Sequence, residues 1–179
     1  MSGADEGPAG PPREYFYSFQ KMDYVRGKRP RGCILCLLRD GDESVPDLTV
    51  HRDQRFIVTV NLYPYNPAHL LLFPQRHIED LRSLDEEEAT HLHRLTRHML
   101  DVLDLTHAPH GYNIGYNMGG VAGASIAHLH LHLSPRYPNE TGISDLIAGR
   151  RVLVEDPRVT AERLKEAMRE NPFSPPVRS

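Results

Sequence analysis

The chain has 179 residues and a net charge of −3 at pH 7. This length suits one domain with a sizeable core, and the charge gives no basic field that would favour binding of duplex nucleic acid. No apolar run approaches the roughly 20 residues that cross a bilayer, and the N-terminus lacks the apolar segment of a secretory signal. We therefore expect a cytoplasmic protein that binds neither membranes nor duplex nucleic acid.

Both ends of the chain have the composition of disordered tails. Met1–Arg13 is rich in Gly, Pro, Ala and acidic residues without an apolar period, and Asn171–Ser179 contains three prolines. A single domain is therefore predicted over residues 14–170.

Between the tails, the apolar pattern predicts strands, a helix and more strands. The predicted strands are Leu48–His51, Phe56–Asn61, His69–Phe73, Tyr112–Asn117 and Ala127–Leu133. A long helix follows the third strand, with Ser83 and Glu86 as a capping box and apolar residues at helical spacing from Ala89 to Leu103. A short helix is predicted at Thr160–Arg169. This order indicates an α+β domain with an antiparallel sheet, one long helix and one short helix.

The last predicted strand carries three histidines that alternate with leucines. Side chains alternate across a strand, so His128, His130 and His132 are predicted to share one face while the leucines face the core. An imidazole titrates near neutral pH and serves as a nucleophile, a proton carrier or a metal ligand. Three in register therefore indicate a reactive site.

A glycine-rich loop, Asn117–Ser125, leads directly into the histidine strand. Its glycines allow turns and close approach of a ligand, and successive N–H groups in such a loop form an anion site. Ser125 adds a hydroxyl donor. Hairpin loops need glycine in any case, but beside three histidines the loop predicts a cradle for an oxyanion next to a nucleophile.

The segment Asn117–Arg136, with its H-x-H-x-H core, resembles the active-site signature of the histidine triad family of nucleotide hydrolases and transferases. Asn61–Pro74 is similar to the ribose-binding strand and the following residues of that family. The likeness is greatest to the bacterial branch that contains diadenosine tetraphosphate phosphorylases. It implies the histidine triad fold, a homodimer, a nucleotide or dinucleoside polyphosphate as substrate, and no organic cofactor.

The resemblance also implies a role for each matching residue. His130 becomes the nucleophile on the α-phosphorus, its Nδ1–H held by the carbonyl of His128, and a nucleotidyl-histidine divides one displacement into two. His132 lies nearest the leaving group, where a proton donor helps. The implied catalytic set is His130, His132, His69 and Ser125. The implied nucleotide and phosphate contacts are Asn61 (at the ribose), Leu62, Asn117, Gly123, Ala124, Ser125 and His132. Many members carry Gln where this chain has Ala124, which removes one phosphate donor.

Cys33 and Cys36 have the C-x-x-C spacing with which two thiolates bind one Zn²⁺. The resemblance implies that His77 and His128 complete a structural zinc tetrahedron. The alternative is an apolar wall with two inert, buried cysteines. That wall would consist of Ile34, Leu35, Leu37 and Leu38, and the family resemblance implies that the same residues and Leu62 line a pocket for the base.

Three functions are compatible with these patterns. The leading prediction is a hydrolase or phosphorylase that cleaves a nucleoside phosphate anhydride or phosphoramidate through a nucleotidyl-His130 intermediate. The alternative is a non-catalytic nucleotide sensor, although a pure binder needs no free nucleophile. A catalytic metal on the three alternating histidines fits poorly, because same-face strand residues lie about 6.5–7 Å apart and metal–nitrogen bonds are only about 2 Å long.

Overall fold

The computed structural model describes residues 32–138 and 155–174. Three α-helices and five strands are present in this part of the chain. In chain order they are α1 (Ile34–Asp40), β1 (Thr49–Arg52), β2 (Phe56–Val60), β3 (Leu70–Pro74), α2 (Glu86–His107), β4 (Gly111–Tyr116), β5 (Leu131–Arg136) and α3 (Pro157–Glu170). Single turns of 3₁₀ helix occur at Leu81–Ser83 and Gly120–Ala122. The predicted N-terminal tail lies outside the described residues.

The strands form one antiparallel sheet in the order β1-β2-β3-β5-β4. This confirms the predicted α+β class with its long and short helices, α2 and α3. One element was missed, because the seven residues of α1 are too few to show a helical period. This helix begins after Cys33 and ends at Gly41, whose left-handed backbone (φ 73°) suits a residue without a side chain.

The two faces of the sheet are covered differently. Helices α2 and α3 cover one face and bury the main apolar core, which includes Leu70 and Leu72 of β3. On the other face, Leu35 and Leu38 of α1 pack against Ile57 and Phe73. This second core is small and leaves part of the sheet for polar side chains.

The N-terminus of α2 differs from the prediction. The capping box consists of Asp85 and Glu88, whose side chains each accept the other's backbone N–H, so the predicted Ser83 and Glu86 box is wrong. Glu88 is buried because Arg76 binds both of its carboxylate oxygens, whereas the predicted core residue Ala89 is exposed. An ion pair therefore occupies the first buried turn of the helix, and hydrophobic spacing cannot reveal it.

The first residues of the predicted C-terminal tail pack against the domain. The ring of Phe173 lies 5.3–5.7 Å from the rings of His51, His91 and His98. Contacts with the domain thus continue as far as Phe173, past the predicted boundary at residue 170. Over the two described ranges, no helix combines the length and apolar character that crossing a membrane would need.

Candidate active site

The histidine segment enters the sheet later than predicted. Strand β5 begins at Leu131, so of the three alternating histidines only His132 belongs to it. The N–H of Leu129 donates instead to the carbonyl of Ile78, in the connection after β3. The alternation nevertheless survives within β5, since Leu131 and Leu133 belong to the core under α2 and α3. His132 therefore points to the opposite face.

His69, His130 and His132 form a cluster, which we call the histidine trio. The rings of His130 and His132 are 4.7 Å apart, and Nε2 of His69 lies 3.0 Å from Nδ1 of His132. Burial lowers the pKa of His132 to about 4. Burial, helped by the neighbouring His132 and His130, lowers the pKa of His69 to about 3. Both imidazoles are therefore neutral at pH 7.

The main chain orients His130. Its Nδ1 lies 2.7 Å from the carbonyl oxygen of His128, and a carbonyl can only accept. The proton of a neutral His130 is therefore on Nδ1, and Nε2 carries a lone pair. Burial also lowers the pKa of His130, which favours this neutral form.

Asn61 contacts the histidine trio through His69. Its Oδ1 accepts the backbone N–H of Tyr63, and its Nδ2 lies 3.2 Å from Nδ1 of His69. The backbone N–H of Tyr65 donates to the same nitrogen, and the Tyr65 ring stacks on His69 at 5.0 Å. Asn61, which the family resemblance assigns to the ribose, thus also contacts His69.

Backbone N–H groups of the glycine-rich loop are already hydrogen-bonded to carbonyls of the same loop. The N–H groups of Gly123 and Ala124 donate to the carbonyls of Gly120 and Gly119. A role for these two groups at a phosphate requires their turn bonds to open. Asn117 reaches the histidine trio, with Nδ2 3.5 Å from Nε2 of His132, whereas Ser125 is exposed and its hydroxyl has no contact with the trio among the hydrogen bonds of the described residues.

The four predicted metal ligands converge at the other end of the histidine segment. We call Cys33, Cys36, His77 and His128 the Cys/His quartet; its ligand atoms all lie within 4.8 Å of one another. Nδ1 of His128 is 3.5 Å from Sγ of Cys33 and 3.6 Å from Sγ of Cys36, and Nδ1 of His77 is 3.3 Å from Sγ of Cys36. A zinc tetrahedron with usual bond lengths has sulfur–nitrogen edges of about 3.6 Å.

The surroundings of the Cys/His quartet also suit a metal. Nε2–H of His128 donates to the carbonyl of Pro74 at 2.9 Å, which leaves Nδ1 with its lone pair facing the thiols. Nε2 of His77 lies 3.5 Å from the Glu79 carboxylate. Metal-bound histidines have such outer partners. Burial and the adjacent Cys33 raise the pKa of the Cys36 thiol, so a pair of thiolates here needs a cation.

The residues predicted to line the base pocket differ in burial. Leu35 and Leu38 belong to the core between α1 and the sheet, while Leu62 is 36% exposed and lies outside both buried clusters. The contact of Tyr65 with His69 and that of the Pro74 carbonyl with His128 were not predicted from the sequence. The Tyr65 N–H and the Pro74 carbonyl are backbone atoms, which leave no signature in residue identity.

Comparisons with known proteins identify the family and the fold. The family model for the HIT domain matches residues 42–139, more than half of the chain. A Mycobacterium tuberculosis protein named AP-4-A phosphorylase is 37% identical over 107 residues, covering 59% of this chain and 55% of that protein. A Schizosaccharomyces pombe protein named bis(5'-nucleosyl)-tetraphosphatase (asymmetrical) is 34% identical over 88 residues, covering 49% of this chain and 48% of that protein.

The chain thus spans about half the length of each of these relatives. The crystal structure of a Zn-bound histidine triad family protein from Mycobacterium smegmatis superposes with a TM-score of 0.65 at 22% identity, covering 78% of this chain and 95% of that one. This likeness supports the fold. Together with the family-model match, it shows that the chain belongs to the HIT domain family.

Proposed function

We propose that this chain is a nucleotide hydrolase or nucleotidyltransferase that cleaves a phosphate anhydride or phosphoramidate bond through a nucleotidyl-His130 intermediate. The observation that carries the proposal is the 2.7 Å contact between Nδ1 of His130 and the carbonyl of His128. It leaves Nε2 as a lone-pair nucleophile on a buried, neutral ring, and a second imidazole lies beside it.

In the first step, Nε2 of His130 attacks the α-phosphorus of the nucleotide. A phosphorus–nitrogen bond forms, and the bond from phosphorus to the leaving oxygen or nitrogen breaks with its electron pair. His132 stands beside the nucleophile, where it stabilises the leaving group by hydrogen bonding. A bound polyphosphate places negative charge near His132, which raises the pKa of that imidazole and favours proton donation.

In the second step, water or inorganic phosphate attacks the same phosphorus and releases His130. Water yields a nucleoside monophosphate, and inorganic phosphate yields a nucleoside diphosphate. The names of the two relatives, a phosphorylase and a tetraphosphatase, support a dinucleoside polyphosphate as the substrate. They leave both acceptors open for this chain.

The remaining predicted residues would bind the nucleotide. We assign Asn61 to the ribose and Asn117, with Ser125, to the phosphates; the contact of Asn117 with His132 supports this placement. Leu62, which is partly exposed near Asn61 in the chain, would contact the base. Gly123 and Ala124 would contribute backbone donors after the turn bonds open.

The Cys/His quartet would hold a structural Zn²⁺. Four protein ligands close a zinc tetrahedron, so the ion would supply stability and no open position for substrate. Its chemical consequence would pass through His128, because this residue also holds the proton of His130 with its carbonyl. A fixed His128 ring keeps that carbonyl in place.

We also assign a homodimer to the chain, as the family resemblance implies. Strand β4 lies at one edge of the sheet, and its Ile114 is 47% exposed. Light scattering coupled to size-exclusion chromatography tests the assembly, and a monomer at micromolar concentration would contradict it.

The activity is tested by incubation with a dinucleoside tetraphosphate and a nucleoside phosphoramidate, with and without inorganic phosphate. Chromatography of the products distinguishes hydrolysis from phosphorolysis. An alkaline quench preserves a phosphorus–nitrogen adduct, which mass spectrometry of the peptide containing His130 would detect. Binding without turnover of any nucleotide would favour the sensor and overturn the proposal.

A further inference from the structure

A pocket lies on the face of the sheet that α2 and α3 cover, at the point where the chain leaves α3. Its volume is about 230 Å³. Residues of β1, of the last turns of α3 and of the segment after α3 line this pocket, among them Val50, His51, Lys165, Met168, Arg169 and Phe173. We call it the C-terminal pocket. His132 points to the opposite face of the sheet, so the pocket is separate from the histidine trio.

The inner part of the C-terminal pocket is apolar. Val50 and Met168 are 8% and 7% exposed and belong to the main core, and the ring of Phe173 forms a wall. Aromatic rings and thioethers both make favourable contacts with an aromatic ligand. Pockets that enclose a drug-sized ligand measure about 300–1,000 Å³. This smaller pocket therefore suits one ring system, whose substituents would lie at the rim.

The aromatic wall is held by a network of side chains. The ring of Phe173 meets the rings of His51 and His91 edge-on, at 5.7 and 5.3 Å. Nε2 of His51 and Nε2 of His91 lie 3.3 and 2.7 Å from the same carboxylate oxygen of Asp53. The other oxygen of Asp53 accepts two backbone N–H groups of the turn between β1 and β2. A wall fixed in this way reduces the ordering that binding of a ligand would cost.

Two cationic side chains lie at the rim of the pocket. Lys165 and Arg169 are four residues apart on α3 and therefore share one side of the helix. Arg169 is exposed, and its side chain has no ion pair within residues 32–138 and 155–174. Lys165 pairs with Glu162 at 2.8 Å, but the Glu162 side chain is 68% exposed. Exposed ion pairs are weak, so the anion of a ligand can replace Glu162 at Lys165.

A phosphate suits this pair of cations better than a carboxylate does. A phosphate monoester carries close to two negative charges at pH 7 and three acceptor oxygens. The guanidinium of Arg169 can bind two of these oxygens, and Lys165 adds a point charge. The anion of the ligand would thus lie at the rim while its ring enters the pocket.

We propose that the C-terminal pocket is a second binding site, separate from the nucleotide site, for a small ligand in which a planar ring is linked to a phosphate. Val50, Met168 and Phe173 contact the ring, and Lys165 and Arg169 bind the phosphate. The proposal does not depend on the reaction at His130.

Binding is measured by nuclear magnetic resonance on the full chain labelled with ¹³C-methyl methionine. Met168 lines the pocket, Met118 follows Asn117 at the nucleotide site, and the fully buried Met99 reports on the core. Single Met→Leu variants assign the signals. Phenyl phosphate, a small probe with both parts, should shift the Met168 signal saturably with a Kd on the order of 1 mM. An unchanged Met168 signal at ten times this concentration would overturn the proposal.

Three simpler probes test the two parts of the site. Phenol lacks the phosphate, inorganic phosphate lacks the ring, and benzoate replaces the phosphate by a carboxylate. Phenol and inorganic phosphate should each bind at least about 10-fold more weakly than phenyl phosphate, because each forms only part of the contacts. Benzoate should also bind more weakly. Equal affinity for any of the three would overturn the proposed ligand class.

Two double variants with the same loss of charge test the rim. Lys165→Gln with Arg169→Gln should weaken phenyl phosphate by about 10-fold and remove most of the salt dependence of binding. The matched control is Arg94→Gln with Arg97→Gln, at exposed positions of α2 that do not line the pocket. This control should leave the affinity unchanged.

Equal weakening in both double variants would assign the binding to net charge and overturn the site, and an unchanged Met99 signal verifies that each variant is folded. The Met118 signal and nucleotide turnover report separately on the nucleotide site. If the chain turns over no nucleotide, the proposed function fails while the Met168 signal still decides the C-terminal pocket.

Discussion

The Cys/His quartet and the histidine trio share one five-residue segment, His128–His132. The ring nitrogens of their histidines nevertheless have different partners. At the quartet, Nε2 of His128 donates to a carbonyl and Nδ1 faces two sulfur atoms. At the trio, Nδ1 of His130 donates to a carbonyl, and its Nε2 has no carbonyl partner within residues 32–138 and 155–174. The first arrangement could hold a metal ion, and the second leaves the lone pair of Nε2 for the reaction that we propose.

This difference shows that the position of a histidine in the alternation does not decide its chemistry. His128 and His132 are four residues apart on the same repeating pattern. One meets two cysteines and the other meets His69 and His130. At one end the partners come from the N-cap and the first turns of α1 and from the connection after β3, and at the other end His69 directly precedes β3. Variants of each cluster test whether the quartet and the trio act independently of each other.

The largest expected effect is at the nucleophile. His130→Gly should lower kcat by at least about 10⁴-fold, because the covalent route is lost, while nucleotide binding measured by calorimetry survives. The control is His93→Ala, at an exposed histidine of α2, which should leave kcat unchanged. Near-wild-type turnover by the His130 variant would show that another group attacks phosphorus.

The second effect concerns the Cys/His quartet and stability. Elemental analysis of protein purified without a histidine tag should give about one zinc per chain. Chelation, or the pair Cys33→Ser and Cys36→Ser, should lower Tm by about 5–10 °C, as expected for loss of an ion present at 100-fold or more above its Kd.

If the clusters are separable, the cysteine variant should retain measurable turnover. Absence of zinc, with no rise in Tm on its addition, would reduce both cysteines to packing residues beside Leu35 and Leu38.

The third effect is a dependence of stability on pH at the histidine trio. The folded-state pKa values of His69 and His132, about 3 and about 4, lie below the unfolded value of about 6.5. The unfolded chain therefore binds protons first, and stability should fall as the pH falls from about 6.5 to about 4. Each histidine contributes up to about 1.4 kcal/mol per pH unit.

Urea unfolding of the metal-free cysteine variant avoids the titration of a bound ion. Adding His132→Gln to that background should reduce the slope of stability against pH. An identical slope in both proteins would mean that the buried state of His132 is not neutral.

The smallest expected effect is at Asn61. Asn61→Ala should weaken binding of a ribonucleotide by about 1–3 kcal/mol, the usual cost of an unpaired buried polar group, and weaken a 2',3'-dideoxynucleotide less. Because Asn61 also contacts His69 and the Tyr63 N–H, equal losses for both ligands would identify a purely structural role.

Much of the fold follows from side-chain periodicity. The five strands and two of the helices are near their predicted positions, because alternation and helical spacing report which side chains are buried. Helix α1 is too short to show a period. The start of β5 depends on a bond between Leu129 and the Ile78 carbonyl, and no local pattern encodes a contact with a distant segment.

The sequence predicts which residues belong to the candidate site better than it predicts the hydrogen bonds between them. The Cys/His quartet and the histidine trio assemble from residues named by their resemblance to the family. The hydrogen bonds that set the tautomers start at backbone atoms of Tyr65 and His128. Every residue carries such atoms, so only the folded geometry distinguishes them.

The carbonyl that holds the proton of His130 has one more consequence, for the tolerance of the site to mutation. A main-chain oxygen is present whatever side chain residue 128 carries, so a single substitution cannot delete the acceptor that makes His130 a nucleophile. His132 has no such protection, because its Nδ1 is paired with the side chain of His69. Random mutagenesis with selection for partial activity should therefore yield slow enzymes changed at position 69 more readily than enzymes with a misoriented His130.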